Sequence, residues 1–227
     1  MEQQAVDVRA GRDFTVTLAS GEALDAARLV LAYGITDVLP EIPGLAERWG
    51  KSVLHCPYCH GYDFADGKLG VLAISPMSAH QALLIAEWRP TTLVLNGGDM
   101  SDEATCAGLA RRGVEIEPAC VAAVSGEGGM LSSLRLDDGR TAAIDAQFLA
   151  PRSRMNIPLA ERLGCALDEG PFGPVIHTDA AKLSTVAGVY AAEDIARAPH
   201  SVSWAGADGV RAGVSVHQSF VLASLDS

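Results

Sequence analysis

Residues 69–118 read LGVLAISPMSAHQALLIAEWRPTTLVLNGGDMSDEATCAGLARRGVEIEP. Leu69 to Ile74 is a short, unbroken apolar run, which suits a strand buried on both faces. Met77 to Trp88 carries helical spacing, and Thr91 to Leu95 is a second apolar run. Glu103 to Arg112 is a second helical segment closed by Gly113, and Val114 to Pro118 is a third strand. Strand, helix, strand, helix, strand predicts a doubly wound α/β layer.

Beyond this stretch, Ala119–Val124 and Leu131–Leu136 read as antiparallel strands around the turn Gly126–Gly129, and Ala146–Ala150 returns as a strand. After Pro151 come a helix near Leu159–Leu163, short strands at Val175–Asp179 and Gly188–Ala192, and a last helix over about Ala205–Ala223. Upstream, Phe14–Leu18 alternates, Ala19–Glu22 turns the chain, and Ala27–Ala32 is an apolar run expected to be a buried strand. Leu39–Gly44, LPEIPG, is a proline-rich loop and marks a boundary.

Composition narrows the function classes. The chain has 227 residues, 48% of them hydrophobic, enough for a substantial core. A net charge of -11 with no compensating Lys/Arg run excludes a nucleic-acid footprint and disfavours an anionic membrane surface. No stretch approaches the roughly 18 apolar residues of a membrane helix. The polar start MEQQAVDVRAGRD lacks the features of a secretory signal, so a cytoplasmic location is expected. Five cysteines at unrelated spacings do not make a disulfide scaffold. Cys106, Cys120 and Cys165 read as small buried hydrophobes.

The other two lie in HCPYCHGY, residues 55–62. A C-x-x-C lets two sulfurs meet across one turn, and Pro57 suits the first position of a helix. A helix start stabilises a thiolate. In a reducing compartment such a pair is catalytic or metal-binding. Tetrahedral zinc draws its ligands from separated segments, and His55, Cys56, Cys59 and His60 fall within six residues, with His200 the one distant candidate. Redox thiols, and no metal, is the reading.

The order of these pieces resembles the flavoprotein pyridine-nucleotide disulfide oxidoreductases, in particular the low-molecular-weight, thioredoxin-reductase-like branch. The resemblance rests on Ala32-Tyr33-Gly34, Pro40-Glu41-Ile42-Pro43-Gly44, Cys56-Pro57-Tyr58-Cys59 and Ala191-Ala192-Glu193-Asp194. It implies an α/β chain in which a Rossmann-like NAD(P)-type domain (51–150) is inserted in an incomplete FAD-type domain (1–50 and 151–227). FAD and NAD(P)H are the cofactors it implies, with Gly34 and Asp194 on the flavin side. Cys56 becomes the outer, attacking thiol and Cys59 the inner one. His60 takes the place of an acid that follows the second cysteine, and His200 faces the flavin as a second acid/base. In the family the last helix contributes to a dimer interface; His217 and Gln218, which lie on it here, read as helix-surface residues.

The departures carry as much information. The family begins with a strand, a G-x-G-x-x-G turn and a helix; the resemblance enters later, as though roughly a hundred residues were absent. In Ala73–Ala79, AISPMSA, no glycine remains where a dinucleotide's pyrophosphate approaches the backbone, and Pro76 removes an N–H. Glu193 stands where the family has glycine, and its charge repels phosphate. Tyr33 stands where the family has a small threonine. Ordinary binding of either cofactor is therefore not expected.

Three readings remain. The first is a thiol–disulfide oxidoreductase using Cys56 and Cys59 on a small-molecule or protein substrate. The second is a flavin-independent enzyme using the Cys/His cluster for nucleophilic or acid–base chemistry. The third is a non-catalytic partner subunit of a flavoprotein. In each, a homodimer or a second chain supplying the absent flavin segment covers apolar surface.

Overall fold

A computed structural model describes residues 3–100 and 102–225. It separates into two compact units: the residues up to Val38 together with those from Arg152, and Leu39–Pro151.

The Leu39–Pro151 unit is built on a five-stranded sheet in the spatial order Val53–Leu54, Ala146–Phe148, Leu69–Leu72, Thr91–Val94, Glu115–Glu117. Every neighbouring pair is parallel, as the apolar runs indicate. Leu69, Val71, Leu93, Val94 and Phe148 are fully buried, because helices pack against Leu69, Val71, Leu93 and Phe148 and an antiparallel meander against Val94, leaving these strands no polar face. Ala82, Ile85 and Leu109 supply the helical side of that packing. The helix Glu103–Arg111 starts on Asp102, whose carboxylate accepts from Thr105 N at 2.9 Å. The helix Ser78–Ile85 is shorter than its spacing suggests. Its last turn tightens, with Glu87 N bonding Leu84 O and Trp88 N bonding Ile85 O.

Val121–Ser125, Ser133–Leu136 and Thr141–Ala143 form an antiparallel meander in the same unit. Its third strand has no apolar run to announce it. The loop Leu39–Gly44 begins right at the division between the two units, as its prolines indicate, and is stitched to this meander. Val124 N donates to Pro43 O at 2.8 Å, and a Cβ on Gly44 (φ +84°) would lie 2.2 Å from Val124 O. The stitch is completed by the buried Arg48, which donates to the carbonyls of Gly44 and Gly126 at 2.7 Å each and to Met130 O at 3.4 Å.

In the other unit, Ala5–Ala10, Phe14–Leu18 and Ala23–Ala26 form an antiparallel sheet. Leu29–Leu31 pairs in parallel with Val189–Ala191, and Ile35–Val38 pairs antiparallel with Arg152–Met155. The apolar run around Leu29–Leu31 is a strand but is not wholly buried: Val30 is 45% exposed, since Val189–Ala191 is its one paired neighbour among the described residues. The chain closes with the helix Val202–Ala223. That helix buries Asp208, which Arg197 grips through both carboxylate oxygens while Lys182 lies 2.7 Å away. Burial alone would raise this carboxyl's pKa, but the hydrogen bonds from the two cations outweigh it and hold it below the usual range. Among the described residues no helix is long and apolar enough to cross a membrane.

Removing Arg48 leaves three carbonyls without their donor. Arg48→Ala is expected to destabilise the Leu39–Pro151 unit by about 3 kcal/mol. Arg48→Lys should recover little, because one ammonium cannot reproduce the fork. Urea denaturation followed by tryptophan fluorescence checks both, since Trp49 and Trp88 lie in this unit.

Candidate functional site

Cys56 is extended (φ -93°, ψ 114°) and immediately precedes a single helical turn, Pro57–His60. Pro57 fixes the first helical φ at a position whose N–H needs no partner. The turn closes through His60 N to Cys56 O at 3.3 Å and Gly61 N to Pro57 O at 2.7 Å. Gly61 is required by crowding: a Cβ there would sit 2.6 Å from Pro57 O and 2.9 Å from the Trp88 ring. Trp88 in turn meets Tyr58 edge-on, with centroids 5.8 Å apart. The turn is also held from the Ser78–Ile85 helix, where the buried Gln81 donates its amide to His55 O at 2.7 Å.

The two sulfurs lie 2.8 Å apart with both cysteines reduced, and Cys59 donates its S–H to Cys56. Oxidation needs only a small closing movement to the S–S bond length of about 2.05 Å. The hydrogen bond to Cys56 is the main reason the Cys59 thiol is pushed up to about 11, with desolvation second and the charge of its neighbour third. Cys59 is exposed and Cys56 half-buried. His60 lies in the same turn, its Nδ1 3.3 Å from Asp63 Oδ2, both side chains largely open to solvent. The structure therefore gathers Cys56, Cys59 and His60 in one turn. His200 belongs to the other unit, where its ring tilts against Phe172 at 5.8 Å. Among the described residues no three His, Cys, Asp or Glu side chains form a group able to hold a metal ion.

Gly34 and Asp194 also belong to that other unit, and Glu193 joins them. Gly34 N–H donates to Glu193 Oε1 at 3.0 Å, and Asp194 N–H donates to Glu193 Oε2 at 2.6 Å. Glu193 itself has φ +62°, a left-handed conformation that favours glycine. Asp194 Oδ1 is buried and has no hydrogen-bond partner. In the Leu39–Pro151 unit, the turn after Leu69–Leu72 shows a parallel arrangement. Ser78 Oγ accepts from Ile74 N–H at 3.2 Å and Ser75 N–H at 3.3 Å, and donates to Leu72 O at 3.4 Å.

A parallel α/β sheet preceded by a one-turn cysteine pair, and interrupting a second α/β unit in sequence, defines a disulfide oxidoreductase class of fold. The comparisons agree. Residues 1–209 match the model of the pyridine nucleotide-disulphide oxidoreductases, and the chain belongs to that family. It is 32% identical over 206 residues to a thioredoxin reductase of Claviceps purpurea, covering 84% of this chain and 63% of that one. It is 29% identical over 229 residues to a thioredoxin reductase of Leptosphaeria maculans, covering 92% of this chain and 68% of that one. The chain thus spans about two thirds of the length of these curated relatives. Among solved structures it superposes on an oxidoreductase of Agrobacterium tumefaciens with a TM-score of 0.92 at 42% identity, covering 98% of this chain and 74% of that one.

The family depends on FAD and NAD(P). Neither nucleotide turn, as it stands, fits a cofactor phosphate: two backbone donors of one are taken by Ser78, and two of the other by the Glu193 carboxylate. Ser78 and Gln81 escape a reading of the sequence. The one available signal was polar residues on the face of a helix that also buries Ala82 and Ile85.

Because the bond to Cys56 is the leading cause of the Cys59 shift, Cys56→Ser is expected to bring the Cys59 thiol down from about 11 toward an ordinary cysteine value. Thiolate absorbance at 240 nm, titrated from neutral to alkaline pH, reads the shift directly.

Proposed function

We propose that the protein is a thiol–disulfide oxidoreductase whose redox pair is Cys56 and Cys59. The observation that carries the reading is the pair itself: two sulfurs 2.8 Å apart across one helical turn. Because the Cys59 thiol is the one pushed up, Cys59 holds its proton and Cys56 is the nucleophile, although Cys59 is the more exposed. The Cys56 thiolate attacks one sulfur of a small-molecule or protein disulfide, forming a mixed disulfide and expelling the other sulfur as a thiolate that takes up a proton. Cys59 then gives up its proton, attacks Cys56 and releases the second substrate thiol. The products are two thiols and a Cys56–Cys59 disulfide, which a dithiol of opposite role reduces again. His60, steadied by Asp63, is the group in the turn suited to take the Cys59 proton. His200 is the acid/base candidate of the other unit.

No step in this cycle passes through FAD or NAD(P)H. The commitment of both nucleotide turns to internal partners favours a second form of the reading, in which the chain works without flavin. The 39–151 unit is then an NAD(P)-type domain in fold alone, and the unit around it the FAD-type domain.

Mixing the reduced protein with a small aromatic disulfide tests the exchange chemistry. The parent should release two thiols per chain and yield a Cys56–Cys59 disulfide on peptide mapping. Cys59→Ser should stop at a mixed disulfide on Cys56, and Cys56→Ser should react at least a hundredfold more slowly. A mixed disulfide trapped on Cys59 instead reverses the roles. Reaction no faster than at Cys106 or Cys120 removes the proposal.

The same reading includes a homodimer. Val202, Val210, Val214, Val221 and Leu222 are all exposed on the last helix, an apolar surface that supports association. Sedimentation velocity should give twice the chain mass of 23.7 kDa, and Val210→Glu with Val214→Glu should shift it to the monomer.

A further inference from the structure

The Glu193 carboxylate is an anion bonded at both ends by backbone. Its two oxygens take two N–H groups from different segments of the chain, Gly34 and Asp194. Converging backbone donors of this kind make an anion site. Here the anion is covalently tethered. The residue holding it is strained, since at φ +62° a side chain is disfavoured and glycine is not. Beside it, Asp194 Oδ1 is buried without any donor, an arrangement that natural structures seldom leave unfilled. The two segments therefore present two donors already filled by a carboxylate, with one acceptor, Asp194 Oδ1, beside them. Phosphate-bearing polyols, the chemistry of a flavin nucleotide's ribityl-phosphate arm, supply both the missing groups: an anion for the two N–H groups and hydroxyls for Asp194.

We infer that Glu193 is a built-in competitor for this site: its carboxylate occupies the two amides that a flavin nucleotide's phosphate would take, and the turn accepts such a ligand only when that carboxylate is gone. Two anions cannot share two adjacent amide donors, because each would lose hydrogen bonds and gain repulsion from the other. The inference does not involve the cysteine pair, which lies in the other unit, and it stands or falls separately from the thiol–disulfide reading. A carboxylate that merely closes the turn would make the same hydrogen bonds. The two roles differ in what happens when it is removed.

The test is a titration of the full chain with FAD, FMN and riboflavin, followed by quenching of flavin fluorescence, for the parent, Glu193→Gly and Glu193→Gln. Glycine suits φ +62°, so Glu193→Gly should fold, and circular dichroism checks that it has. Glu193→Gln keeps an acceptor oxygen and a similar volume while removing the charge, and it serves if the glycine variant is unstable. The expected result is FAD and FMN binding at least tenfold tighter in Glu193→Gly than in the parent, with Glu193→Gln in between and riboflavin, which has no phosphate, unchanged. Equal affinity in parent and variants, an equal gain for riboflavin, or no flavin binding by any of the three overturns the inference.

Discussion

A backbone N–H withdrawn from water must find an acceptor, and this chain meets that requirement in its turns with its own side chains. In the parallel sheet the strands satisfy each other. In the turns that follow them the strands cannot help, and Ser78 and Glu193 supply the oxygens. Arg48 solves the complementary problem, bringing donors to carbonyls of the loop and meander that face no strand. The same rule that builds the sheet thus explains why two turns shaped for nucleotides spend backbone donors on side chains of their own.

That arrangement separates the chemistry of the cysteine pair from the cofactors that the family employs. Cys56 and Cys59 are positioned by Pro57, Gly61, Trp88 and Gln81, none of which belongs to a nucleotide turn. The environment of the sulfurs is set within one helical turn, and the dominant influence on Cys59 is its own partner. A site so locally built owes its geometry to neither nucleotide turn.

The sheet was legible because strands buried on both faces need unbroken apolar runs, and Leu69–Leu72 and Thr91–Val94 have them. Thr141–Ala143 was not, since a short edge strand of a meander carries no periodicity of its own. The extent of burial at Leu29–Leu31 depends on how many neighbours the strand has, which its residues do not state. The cysteine pair was legible from spacing. Glu193 was legible as a substitution that repels phosphate. Its double hydrogen bond was not, because that depends on the direction of a side chain across a turn closed by residues more than a hundred and fifty positions apart. Gln81 and Ser78 were hidden for a similar reason: a polar residue on a helix shows its partner only once the helix is packed.

The left-handed backbone at residue 193 suits a glycine better than the glutamate it holds. A glycine position that acquires a side chain would ordinarily relax to an easier conformation, erasing the trace of what stood there. Here the two hydrogen bonds hold the glycine geometry in place with a glutamate in it. Glutamate and glycine codons differ by a single base, so the glycine this backbone favours lies one nucleotide change away.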